Sequence, residues 1–376
     1  MCDVPALRFP EFSGEWHKHS LGEIGETIIG LTYKPSDVVE DNGVIVFRSS
    51  NIKNGVIDYS DLVRVNKQIK DKIITKENDI LVCARNGSQR LIGKNAIIKQ
   101  EDTNNTFGAF MMVYRSIDNP FILPLLSTKR YFSQVGENLG ARINQITTSD
   151  FNGFEFYFPE SHAERAKIAE LFRLLDKRIA TQNKIIEDLK KLKSAITDLL
   201  FHSIADAHTI RLGEIAHITN GAGDVQDANT EHQENWYPFF DRSEELKWFP
   251  TYSFDKEAVI YAGEGQSFYP RYYNGKFALH QRCYAITDFA SCIIPKYCYH
   301  FMNTLNSYFV RNSVGSTVPS LRMDIFQKVE IRLPPIPKQQ HICKIIDAFY
   351  TKLEVEQRGI SILQELKQFL LSQMFI

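Results

Sequence analysis

At 376 residues, 43% of them hydrophobic, the chain is past the length at which one core keeps growing, so two domains of about 150 to 200 residues are expected. Its 24% of charged residues and net charge of −1 leave open a nucleic-acid binder whose basic residues are clustered, and argue nothing by themselves. No run of eighteen apolar residues occurs, and the opening MCDVPALRFPEF lacks the charged head and apolar middle of a secretion signal, which excludes a membrane span and gives the expectation of a soluble cytoplasmic protein.

In chain order, the first landmark is LGEI at 21–24, which returns at 212–215. VIVFRSS, DILVCAR and GAFMMVYRS follow as strand candidates rich in β-branched and aromatic residues, and NPFILPLLSTKRYFSQV reads as helical after its prolines. Phe154, Phe156 and Phe158 alternate as a closing strand that ends at Pro159. Ser161 and Glu164 then have the spacing of a capping box, opening about 40 residues without Gly or Pro. Within that stretch Ile168, Phe172, Leu175, Ile179, Gln182, Ile186, Leu189, Lys193, Ile196 and Leu200 recur in steps of four and three, the period of a coiled-coil seam. The link HSIADAHT, 202–209, is short and not Gly/Ser-rich, so it turns the chain rather than tethering it loosely.

The second half repeats the plan. AVIYAGEG and KFALHQRCYAIT read as strands and PKYCYHFMNTLNSYFVRN as a helix. Val329, Ile331 and Leu333 repeat the closing strand at an offset of 175, before Pro334. Adding 174 to the seam positions gives Ile342, Ile346, Phe349, Leu353, Glu356, Ile360, Leu363, Lys367, Leu370 and Met374, with every apolar position still apolar and the polar interruptions in the same places. This second helix starts from PPIPKQQ, where Pro337 suits a first turn. LGEI itself repeats at an offset of 191, so the two copies share their ends and differ in their middles.

The expected fold is therefore α+β: two mixed α/β domains joined by two long helices that form an antiparallel coiled coil about a pseudo-twofold axis, holding the domains at fixed separation. The boundaries are 1–159 and 203–334 for the domains, and 160–202 and 335–376 for the helices. A second apolar row, Leu171, Ile185, Leu192 and Leu199 with Ile345 and Leu366, either packs on the chain's own domains or binds partner subunits.

Charge is uneven in the middles. LVCARNGSQRLIGKNAIIKQ, 81–100, holds Arg85, Arg90, Lys94 and Lys99 and no acid. At the matching place GQSFYPRYYNGKFALHQRCYAIT holds Arg271, Lys276 and Arg282 among Tyr272, Tyr273 and other aromatics, again without an acid. Such tracts neutralise phosphates, and arginine also pairs with guanine edges; a solvated hairpin with core aromatics is the alternative for any single residue. The six cysteines, at 2, 83, 283, 292, 298 and 343, contain no CxxC. Cys283, Cys292, Cys298 and His300 come nearest to a metal set, but Cys298 and His300 are two apart and diverge on a helix, so buried thiols are expected. GEGQSF, LPPI and NPF are not the nucleotide or methyltransferase motifs they approach, and no histidine is assigned to catalysis.

The duplicated unit, with VPALRFPEFSGEW leading into LGEI, VGSTVPSL before the second closing strand, LPPIPKQQHICKIID into the last helix and PESHAERAKIAELF at its counterpart, resembles the specificity subunit of Type I restriction-modification systems over nearly the whole chain. The resemblance implies a non-catalytic subunit with two target-recognition domains, each reading one half of a split site in double-stranded DNA, with the helices as a ruler. It implies two modification (methyltransferase) subunits and restriction (ATP-dependent nuclease/translocase) subunits as partners, which would hold S-adenosylmethionine, ATP and Mg, with no cofactor on this chain. Ser316 and Thr317 of the Gly-Ser-Thr loop join the candidate DNA contacts; the first copy has NLGARINQI there, where Arg142 is the substitute by charge. The other classes to weigh are a structural protein whose coiled coil and domains bind proteins without reading DNA, and an enzyme acting alone on DNA.

Overall fold

The two stretches with the three-four repeat become the longest elements, His162–His202 and Ile336–Met374. They occur in a computed structural model that describes residues 4–139, 144–202, 204, 206–315 and 317–376. Contacts divide the chain into two units, 1–183 with 359–376 and 184–358, so each unit contains half of each long helix. Every seam position is buried or half-buried in both helices, including Ile179, Leu189, Phe349, Ile360 and Leu363. In the first unit Phe172 stacks on Phe375 at 5.6 Å and Lys367 pairs with Asp176, so the helix segments run antiparallel. In the second, Lys193 lies 4.1 Å over the Tyr350 ring. Those two lysines are the equivalent polar interruptions, and each reaches the same position of the opposite helix. Contrary to the capping-box reading, only half of the box forms: Glu164 N–H donates to Ser161 Oγ at 3.3 Å, while the Glu164 carboxylate is fully buried on Arg8, 2.7 and 2.8 Å from its guanidinium.

Each unit opens and closes on one antiparallel strand pair, Trp16–Ser20 with Glu155–Pro159 and His208–Arg211 with Glu330–Leu333. LGEI is the single helical turn that leaves this pair. Leu21 N–H donates to Phe154 O at 2.9 Å and Leu212 N–H to Val329 O at 2.8 Å, and both leucine side chains are fully buried. A Cβ on Gly22 would lie 3.0 Å from Asn152 Cβ, and one on Gly213 3.1 Å from Gln327 Cβ. The motif is thus a packing joint between the frame and the domain.

Each middle has its own sheet, and the two sheets share a strand order. In the first unit the strands Glu26–Ile29, Met111–Arg115, Ile80–Cys83 and Asn95–Ile97 lie side by side in that order. The second has His217–Asn220, Cys283–Thr287, Phe254–Ala262 and Arg271–Leu279 in the same order, extended by Tyr237–Phe240 and Lys247–Phe249. KFALHQRCYAIT, read as one strand, is two, because the backbone turns at 280–282. The helical readings 119–135 and 295–312 each break into two helices, at 126–128 and 303–305, where the amides of Ser127 and Thr128, and of Thr304 and Leu305, close onto carbonyls three residues back.

Candidate nucleic-acid interface

In both units the loops that follow the central strand gather with their neighbours at one edge. In the first, Ala84 and Arg85 N–H both donate to Phe110 O at 3.0 Å, Ile146 N–H donates to Ala84 O at 2.9 Å, and Asn86 Nδ2 reaches Ser49 Oγ at 2.9 Å. In the second, Gly263 N–H donates to Arg282 O at 2.9 Å, Leu321 N–H to Gly263 O at 2.7 Å, and Gly265 N–H to Pro319 O at 3.0 Å. With Asn86 N–H also donating to Asn144 O at 3.4 Å, the backbone bonds of Ala84, Ile146 and Asn86 match those of Gly263, Leu321 and Gly265, so these edges are the same surface in two copies, which we call the rim.

At the first rim Arg85 and Arg90 are exposed, and the Arg85 guanidinium carbon sits 5.1 Å from the centre of the Phe110 ring. Lys94 is half-buried, with its carbonyl bonded by Cys83 N–H at 2.8 Å. At the second rim Arg282 is 65% exposed and pairs with Glu264 at 2.9 Å; Arg242, 72% exposed, approaches the same carboxylate at 3.8 Å. Thr317 is exposed beside Gly315, which takes a left-handed φ of 101°. Arg142 and Ser316 lie outside the described residues.

The other candidates face elsewhere. Arg271 donates to the carbonyls of Asp241 and Ser243, lies 5.2 Å over the Phe240 ring, and is held below the usual guanidinium range by burial. Its distance to Ser243 O is 2.9 Å, so it ties a loop to the sheet. The Tyr272 hydroxyl donates to the Glu257 carboxylate, and burial followed by that carboxylate pushes its pKa up. Tyr273 packs on Phe240 and Phe277 at 5.3 and 5.6 Å. Lys276 is exposed but lies at the far end of the strand from the rim, over Tyr252 at 4.6 Å. Phe110, Arg242 and Glu264 were not singled out by sequence reasoning. Glu264 stands one residue before the acid-free tract, and no local pattern marks it as the partner of Arg282.

Among the described residues no group of three or more His, Cys, Asp or Glu side chains is placed to hold a metal ion, and no helix is long and apolar enough to cross a membrane. Cys283 and Cys298 are buried, with thiols pushed up by burial, and Cys292 is exposed.

The frame occurs twice with unlike rims, and comparison with known proteins finds the same duplication. The family model described as Type I restriction modification DNA specificity domain matches residues 13–191 and again 205–368, and the chain belongs to that family. It is 31% identical over 165 residues, 44% of its length, to the Type I restriction enzyme EcoDI specificity subunit of Escherichia coli, and 28% identical over 193 residues, 48% of its length, to the StySPI specificity subunit of Salmonella potsdam. These matches span 36% and 41% of those two relatives. Its fold is similar to the crystal structure of a Type I restriction-modification system S subunit from M. genitalium, with a TM-score of 0.66 at 17% identity over 99% of both chains.

Proposed function

We propose that this chain is the sequence-reading subunit of a Type I restriction-modification assembly. Each unit's rim binds one half of a bipartite site in double-stranded DNA, and the paired long helices act as spacer and as the dock for two modification subunits, with restriction subunits joining the assembly. The observation that carries this reading is the repetition of one frame with different rims: frames common to both copies suit a common partner, and unlike rims suit unlike half-sites. The contacts proposed are Arg85, Arg90, Lys94 and Arg142 in one copy and Arg282, Ser316 and Thr317 in the other, with Lys276 left out because it lies away from the rim. Arg271, Tyr272 and Tyr273 support the second rim from behind, because their polar groups or rings are engaged within the unit. Methyl transfer, ATP hydrolysis and cleavage, with their S-adenosylmethionine, ATP and Mg, are assigned to the partners. Methylome sequencing of cells with and without this chain tests the proposal: loss of one bipartite methylated motif is expected, and an unchanged methylome in cells that retain active modification subunits overturns it.

A further inference from the structure

The matched backbone of the two rims permits a comparison that sequence alignment of the middles does not. The residue two past the central strand's last paired position is Arg85 in the first copy and Glu264 in the second. The residue just before it, Ala84 or Gly263, donates its N–H to a neighbouring turn, to Phe110 O in the first copy and to Arg282 O in the second. Each crossing therefore holds one arginine, but from opposite sides. In the first copy the central strand supplies the arginine and the neighbouring turn supplies an aromatic ring, 60% exposed, on which it rests. In the second the neighbouring turn supplies the arginine and the central strand supplies a carboxylate, only 20% exposed, that orients it.

We infer that Arg85 and Arg282 are the matched base-reading residues of the two half-sites, each forking onto a guanine in the major groove, with Phe110 and Glu264 as their positioning residues. The inference rests on the function proposed above. A residue that meets only phosphate needs charge and reach, and a flexible lysine serves as well. A residue that reads a guanine O6 and N7 must present a planar fork in one orientation, and a partner that fixes the guanidinium plane while leaving it exposed meets that need. Both rims do this by different chemistry at one backbone site. Arg90, at the same loop in the first copy, is exposed in a turn and fits a phosphate contact. Arg242 shares the Glu264 carboxylate, so the second rim still presents net positive charge to the DNA backbone.

The test uses the full chain copurified with its modification subunits and selects bound duplexes from a random pool. The wild-type complex should return a bipartite consensus. Arg282→Lys should relax one guanine in one half-site, lowering discrimination there by about five- to 150-fold, and leave the other half unchanged. Arg85→Lys should do the same in the other half. Glu264→Gln and Phe110→Leu, which keep the arginine and its charge, should relax the same base pair as their arginine variant, a readout that general loss of folding does not produce. Uniform weakening over all sequences by Arg282→Ala, with full discrimination retained by Arg282→Lys, would show a phosphate contact and overturn the inference. So would relaxation in both halves by one substitution. If the wild-type complex itself selects no bipartite sequence, the proposed function fails instead.

Discussion

Arg271 and Arg90 carry the same charge in sites that make opposite demands. Removing Arg271 strands the carbonyls of Asp241 and Ser243 and uncovers the Phe240 ring, so Arg271→Ala should destabilise the second unit by about 1–3 kcal/mol, read as a lower urea midpoint. Arg90→Ala should leave that midpoint in place and make the salt dependence of DNA binding by the complex shallower by about one unit. His300 gives a prediction in pH. Its Nε2 donates to Asp347 Oδ1 at 2.9 Å, Nδ1 has no partner among the described residues, and the ring stacks on Tyr350 with Lys296 and Lys193 nearby. Burial, outweighing the Asp347 carboxylate, lowers its pKa, so the neutral ring is the folded form. The unfolded chain takes up a proton first as pH falls through about 6.5, and stability present above that value is lost below it. Urea midpoints at pH 7.5 and 5.5 should differ more for the native chain than for His300→Gln. Residue roles of this kind were poorly legible in the sequence. Arg271 and Arg282 sit in one acid-free tract and look alike there, and only the carbonyls behind Arg271 and the carboxylate beside Arg282 separate them.

The long helices were legible because a 3.5-residue period accumulates over about 40 residues, and every member of the inferred seam is turned inward. Phe172 shows what that burial is worth. It lies against Phe375 in a core that also holds Trp16 and Phe121, so Phe172→Ala should cost about 3–5 kcal/mol, checked by the same denaturation. The joint between frame and domain was half legible. LGEI stood out as a repeat, but its reason is the close approach of Asn152 and Gln327 to its glycines, a contact between segments over a hundred residues apart in sequence. The short strands that open each unit went unread because Trp16–Ser20 and His208–Arg211 are polar and take their strand geometry from the closing strands they pair with. The broken strand at 280–282 was missed for a related reason: HQR carries no Gly or Pro to mark its turn.

At the scale of the molecule the duplication makes a claim about stoichiometry. Four members of the second apolar row are exposed, Leu366 in the first unit and Ile185, Leu192 and Leu199 in the second, with Leu199 64% exposed; four apolar residues outside that row are exposed on the same helices, Leu174, Ile362 and Phe369 in the first unit and Val355 in the second. Leu171 and Ile345 are half-buried, so the alternative of packing on the chain's own domain describes those two positions, while most of the row is left to water. Spacing of seven between Ile185, Leu192 and Leu199, and between Val355, Ile362 and Phe369, keeps each set on one helix face, as a partner helix requires. Since the frame occurs twice, a partner that recognises it should bind twice, and native mass measurement of the copurified complex should give two modification subunits per chain. Leu192→Asp with Leu199→Asp places charge on one unit's row only. If the two docks are independent copies, that variant should retain one modification subunit, keep the stability of the chain and still bind the half-site of its intact unit. Loss of both subunits together would mean that the helix pair is a single dock, and retention of both would mean that the apolar row is not where the partner binds.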